Sequence, residues 1–133
     1  AGTYSELQYN HKALMISLDK GIMAFPITVA GKTPYVTDFS GAYVYNVSKD
    51  AFSFKGTVTH QSNASVSGSG DYKNYNYNLN INRLVYIGDY LYSLSQGKME
   101  VTNLKDMSKA GEVSFPDKVY NKTLPIDSPP SPK

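Results

Sequence analysis

The feature that most constrains the fold of this chain is the period of its apolar residues. They come in short runs that alternate between two faces or stay nearly continuous for five or six positions. No stretch holds a 3.6-residue period long enough to make a good helix. Turn residues separate the runs, and that pattern belongs to an all-β chain.

The runs fall into two groups of four. In the first, residues 13–18 (ALMISL) read as a strand buried on both faces, closed by the turn Asp19-Lys20-Gly21. Residues 22–27 make a second strand. Pro26 cannot donate to a ladder, so a bulge or a strand end is expected there. A loop around Pro34 spans residues 31–40, and residues 42–47 form the third strand. The fourth alternates, with Phe52, Phe54, Gly56 and Val58 on one face and Ser53, Lys55, Thr57 and Thr59 on the other. In the second group, strands are expected at residues 83–87, 90–94, 98–104 and 110–115, with Gly88-Asp89 as a two-residue hairpin turn.

Residues 61–82 connect the groups. Their first half is rich in Ser, Gly, Asn and Ala and is expected to be mobile. In the second half Tyr75, Tyr77, Leu79 and Ile81 alternate with asparagines, which reads either as a strand with one polar face or as a binding loop. Residues 116–133 hold five of the seven prolines and read as a disordered or polyproline-like tail, with room for one more strand at residues 118–124.

Composition narrows the function classes. A formal charge of +2, with Arg83 as the sole arginine, argues against a nucleic-acid partner, which would be met by clustered cations and arginine forks. The absence of cysteine removes disulfides, thiol nucleophiles and thiolate metal sites. No run approaches the length of a membrane span, and no signal peptide is visible. With Ala1 in place of an initiator methionine, the chain reads as a piece of something longer.

The two groups are related. Val44-Tyr45-Asn46-Val47 followed by Lys49-Asp50 matches Val101-Thr102-Asn103-Leu104 followed by Lys105-Asp106, an offset of about 57 residues. The segments His11-Lys12-Ala13-Leu14, Gly41-Ala42-Tyr43-Val44-Tyr45 and, above all, the run from Arg83 through Tyr86-Ile87-Gly88-Asp89-Tyr90-Leu91-Tyr92 to Ser95 resemble a known family. It is the family of secreted bacterial and archaeal proteins with a C-terminal β-propeller distantly related to WD-repeat propellers. The resemblance covers roughly residues 9–115, and the family more often carries Asp at the position of Asn10. It implies two four-stranded antiparallel blades cut from a propeller: residues 1–60, the connection 61–82, residues 83–115, and the tail 116–133. It also implies a secreted or cell-envelope location and a binding role.

Two blades cannot close a ring of four to eight. Each is therefore expected to keep one bare face, carrying Phe52, Phe54, Tyr43, Tyr45, Tyr90 and Tyr92. The expected partners are the remaining propeller blades or further copies of the chain.

Two sets of residues are candidates for ligand binding. His11, Lys12 and Arg83 precede or open the first strand of each group and would share one rim, as a cationic patch or as ties between blades. Tyr72, Tyr75 and Tyr77, set among Ser, Gly and Asn, have the composition of a paratope or sugar platform, and equally that of half-buried strand residues. Catalytic patterns are missing. There is no Gly-x-Ser-x-Gly elbow, His11 and His60 have no partner at metal-ligand spacing, and the carboxylates sit mostly in turns. No metal or cofactor is expected. The expected function is a non-enzymatic binding module for protein or cell-surface glycan. The alternative is a non-catalytic portion of an extracellular enzyme completed by other blades or domains.

Overall fold

A computed structural model describes residues 2–32, 36–62 and 75–116. They form two four-stranded antiparallel sheets and three short 3-10 turns. The first sheet has the order β1 (Met15–Ser17), β2 (Ile22–Ala30), β3 (Thr37–Val47), β4 (Phe52–Val58). The second has β5 (Arg83–Ile87), β6 (Tyr90–Leu94), β7 (Lys98–Asn103), β8 (Lys109–Ser114). Each is a meander whose first tight turn is set by glycine. Gly21 and Gly88 adopt φ of 60° and 59°, a conformation that side chains with a Cβ resist.

Several elements depart from the sequence reading for identifiable reasons. The first strand is only three residues long. Met15 and Ser17 are buried while Ile16 is 49% exposed, so the strand is buried on one face and not on both. Pro26 makes neither a bulge nor an end, and β2 runs straight through it. The Pro26 carbonyl accepts a hydrogen bond from Ser5 Oγ on the side that β1 leaves free, and the missing N–H falls on that same side, where no strand asks for it. The irregularity in β2 lies instead between Val29 and Ala30. The loop around Pro34 is shorter than expected, because β3 already begins at Thr37.

The fourth strand does not keep one face throughout. Gly56 pairs with Val44, but the next pair is Phe54 with Tyr45, so Lys55 is an extra residue. This bulge turns Phe52 and Phe54 to the face opposite Val58. The second sheet has the same device. Gly111 pairs with Val101, Lys109 pairs with Thr102, and Ala110 is the extra residue. The two bulges occupy equivalent places beside Val44 and Val101, which gives the sequence repeat a structural counterpart.

One core joins the sheets. From the first come Met15, Ile22, Ala24, Ala42, Val44 and Val58; from the second and its approach come Ile81, Leu84, Leu91 and Leu104. Register shows which faces meet. The first sheet buries the face of Val44. The second buries the face of Leu91, Ser93, Glu100 and Thr102, opposite to that of Val101. Since Val44 and Val101 are equivalent, the sheets stack front to back. The outer face of the first sheet carries a cluster of rings: Phe25, Phe39, Tyr43, Tyr45, Phe52 and Phe54. Phe52 and Phe54 are 58% and 57% exposed. The outer face of the second sheet exposes Val85, Ile87, Tyr90 and Val113.

Residues 75–82 are not a strand. They contain a 3-10 turn at Tyr77–Leu79. Short polar side chains bonding their own backbone compete with a ladder, and Asn76 Oδ1 accepts from Asn78 N at 2.9 Å. Gln61, expected in a mobile stretch, is buried. Its side chain pairs with Asn76 as a strand backbone would, donating Nε2 to the carbonyl and accepting the amide at Oε1. The expected strand at residues 118–124 and the tail beyond residue 116 lie outside the described residues.

Candidate functional site

His11 and Lys12 sit in the 3-10 turn His11–Ala13, which is capped by Asn10 Oδ1 accepting from Lys12 N at 3.1 Å. Asp and Asn serve equally well at such a cap, so the Asp-to-Asn difference at position 10 is accounted for by local geometry. The turn lies against β5, which opens at Arg83. The turn after β1 is tied to the turn after β5 by Lys20 Nζ and Asp89 Oδ1, 3.0 Å apart. The two strands therefore run alongside each other in one direction, and His11, Lys12 and Arg83 lie toward their common N-terminal end. All three are exposed, and none forms an ion pair with a described residue.

The tyrosines divide. Tyr72 lies outside the described residues. Tyr75 is half-buried; its hydroxyl donates to Asn80 Oδ1 at 2.7 Å and lies 3.0 Å from Ser40 Oγ. It fastens residues 75–80 to the first sheet. Tyr77 is 79% exposed, although its ring lies edge-on to that of Tyr75.

Tyr77 borders an open cleft of about 150 Å³ at one end of the junction between the sheets. The N-terminal segment contributes Tyr4 and Glu6, the connection contributes Tyr77, Asn80 and Asn82, and the β6–β7 turn contributes Gln96. Thr28 of β2 and Ser40 of β3 also line it. The walls are held firmly. Tyr4 pairs with Thr28 as an isolated bridge on the edge of β2. Asn78 O accepts from Gly97 N at 2.8 Å, joining the connection to the turn that carries Gln96.

The lining is mixed: amides, phenols, hydroxyls and one carboxylate stand beside the apolar surface of Pro26, Ile27 and Ile81. Asn80 Oδ1 faces inward and accepts from Ser40, Gln61 and Tyr75. That leaves its Nδ2 donors for the cleft. The side chains of Asn82 and Gln96 are exposed and form no hydrogen bond with a described residue. Glu6 accepts from the Tyr4 hydroxyl at 2.9 Å, and this bond raises the Tyr4 phenol above its ordinary pKa. None of the described lining residues is basic. The sequence reading missed Tyr4, Glu6, Asn80, Asn82 and Gln96. They come from three separate segments, and only the asparagine-rich run before β5 gave a local signal.

A second polar cluster lies inside the junction. His60 is 3% exposed, with Nδ1 2.9 Å from Ser95 Oγ and Nε2 2.9 Å from Ser93 Oγ. Burial pushes its pKa down to about 4, Lys98 adds to the effect, and Glu112 opposes it. Beside it, Lys98 bridges Glu100 at 3.3 Å and Glu112 at 3.2 Å, and Lys109 approaches Glu112 at 2.6 Å. These groups satisfy one another across strands of one sheet and between sheets. Among the described residues no three His, Cys, Asp or Glu are placed to hold a metal ion, and no helix is long and apolar enough to cross a membrane.

The model of the β-propeller domain family matches residues 1–107. No curated protein and no solved structure matches the chain. With two consecutive four-stranded meanders, equivalent bulges and front-to-back stacking already in place, the chain belongs to the β-propeller domain family.

Proposed function

We propose that this pair of propeller blades is a non-enzymatic binding module of an exported protein, taking protein or cell-surface glycan at the open end of the blade junction. The observation that carries the reading is the cleft itself. It is concave, bordered by an exposed tyrosine, and lined by Asn82 and Gln96, whose side chains form no hydrogen bond with a described residue. The exported setting, in the cell envelope or outside it, rests on the resemblance to secreted bacterial and archaeal propellers. The two outer sheet faces are the places of further blades or of further copies of the chain, because one exposes a cluster of aromatic rings and the other exposes Val85, Ile87, Tyr90 and Val113.

The test is to immobilise the chain and expose it to arrays of cell-surface glycans and of envelope proteins, following both retention and chemical change of what is retained. Saturable, reversible retention of an unaltered ligand is the expected result. Silence on every array, or turnover of a retained glycan, would overturn the reading.

A further inference from the structure

We infer that the cleft bordered by Tyr77 is a subsite for a single neutral sugar ring. The inference rests on the binding reading above and narrows it to a ligand class and a place.

Charge excludes most alternatives. Glu6 is the one charged group among the described lining residues, so a phosphate, sulfate or carboxylate would meet repulsion and no cation. The three cations expected to form a binding rim, His11, Lys12 and Arg83, do not line the cleft. Pro26, Ile27 and Ile81 give the cleft apolar surface, but a wholly apolar ligand would cover the amides of Asn80, Asn82 and Gln96 without pairing them, at a cost. A neutral polyol satisfies all of them. Adjacent hydroxyls each donate and accept, which is what a planar amide offers in return. Asn80 has only its Nδ2 donors to offer, because its Oδ1 acceptor is saturated from inside. Glu6 accepts, with its Oε2 already oriented by the Tyr4 hydroxyl.

Size and shape agree. A volume of about 150 Å³ is below the roughly 300 Å³ of pockets that take drug-sized ligands, and it suits one ring with the rest of a chain in solvent. Tyr77, with 79% of its surface free, is the platform on which the C–H face of that ring would lie. The site is also preorganised. Tyr75, Gln61 and the Asn78–Gly97 bond fix the connection before any ligand arrives, so little ordering remains to oppose binding.

The experiment is a titration of the isotope-labelled chain with neutral hexoses and their short oligomers, and in parallel with sialylated and sulfated glycans, read by amide NMR shifts. Neutral sugars should move the resonances of Tyr77, Ile81, Asn82 and Gln96. Tyr77→Ala and Gln96→Ala should each weaken binding by roughly fivefold or more while leaving the remaining spectrum unchanged. Shifts by acidic glycans at His11, Lys12 and Arg83, with the cleft silent, would overturn this inference and leave the binding reading standing. Retention of proteins alone would do the same. If neither sugars nor the protein arrays bind, the binding reading itself fails.

Discussion

His60 is the residue on which the junction is most sensitive to its surroundings. It leaves the first sheet at the end of β4 and reaches two serines, Ser93 at the end of β6 and Ser95 just beyond it. A neutral imidazole donates at one nitrogen and accepts at the other, so one serine hydroxyl must turn toward the ring. With a folded pKa of about 4 against about 6.5 in the unfolded chain, the unfolded state binds the extra proton between those values. The contribution is complete above pH ~6.5 and is lost as pH falls toward 4, roughly 3 kcal/mol in all. Urea midpoints measured from pH 7.5 to 4.5 should fall steeply in the native chain and much less in His60→Asn. Parallel slopes would refute the assignment. Asp89 and Glu112, held low by their lysines, release their contributions only at the acid end of this window or below it.

The same buried face holds a polar atom with no partner among the described residues, Thr102 Oγ1, on a residue that is 2% exposed. Replacing an unpaired hydroxyl by a methyl of the same shape removes a desolvation cost without leaving a hole. Thr102→Val should be neutral or stabilising by up to ~1 kcal/mol in chemical unfolding, whereas Ser93→Ala should cost about 1–2 kcal/mol by stripping His60 of a partner.

Among the elements, β3 is the one that organises its neighbours. Gly41 passes so close to β4 that an added Cβ would run into the Val58 carbonyl and the Phe39 ring. Backbone at that place cannot yield cheaply, so Gly41→Ala should destabilise by about 1–3 kcal/mol, read as a lower thermal midpoint with secondary structure retained below it. The bulges at Lys55 and Ala110 have a different role. Each is an extra residue beside a glycine that changes the parity of its strand. Met107, with φ of 61°, extends over Gly56 from the second sheet and closes the junction there.

These details mark where the sequence stops being readable. Strands β5 to β8 lie within about a residue of the alternation that announces them, because turn residues separate the runs, with Gly88 and Gly97 on either side of β6. A bulge leaves no mark of its own in the alternation, which puts Phe52 and Phe54 on one face with Val58 where the structure puts them on opposite faces. The run Tyr75, Tyr77, Leu79, Ile81 alternates as a strand would, yet its asparagines cap a turn and pair with Gln61 instead. The cleft was beyond local reading for a simpler reason. Its walls are assembled from chain segments tens of residues apart, and only Tyr77 stood out by composition.

At the scale of the molecule, the front-to-back stacking has a consequence for assembly. The buried interface joins the Val44 face of the first sheet to the Thr102 face of the second. By the repeat, the two outer faces are one of each kind: the ring cluster of the first sheet is equivalent to the Thr102 face, and the Val85–Val113 face of the second is equivalent to the Val44 face. Copies that met through these faces would join head to tail, as the two sheets do inside the molecule, so their association would continue around a ring or along a chain instead of stopping at a two-fold dimer. In a longer propeller the same faces would be filled by neighbouring blades.

The most direct test of this arrangement is the solution mass of the chain by light scattering on a sizing column, for the native sequence and for Phe52→Lys with Phe54→Lys. Front-to-back blades with two bare complementary faces require association of the native chain into species larger than a dimer, lost when the lysines enter the ring cluster. A native chain that stays at the mass of one copy at every concentration, with no dye-accessible apolar surface, would contradict the account and mean that the two sheets satisfy their outer faces by themselves.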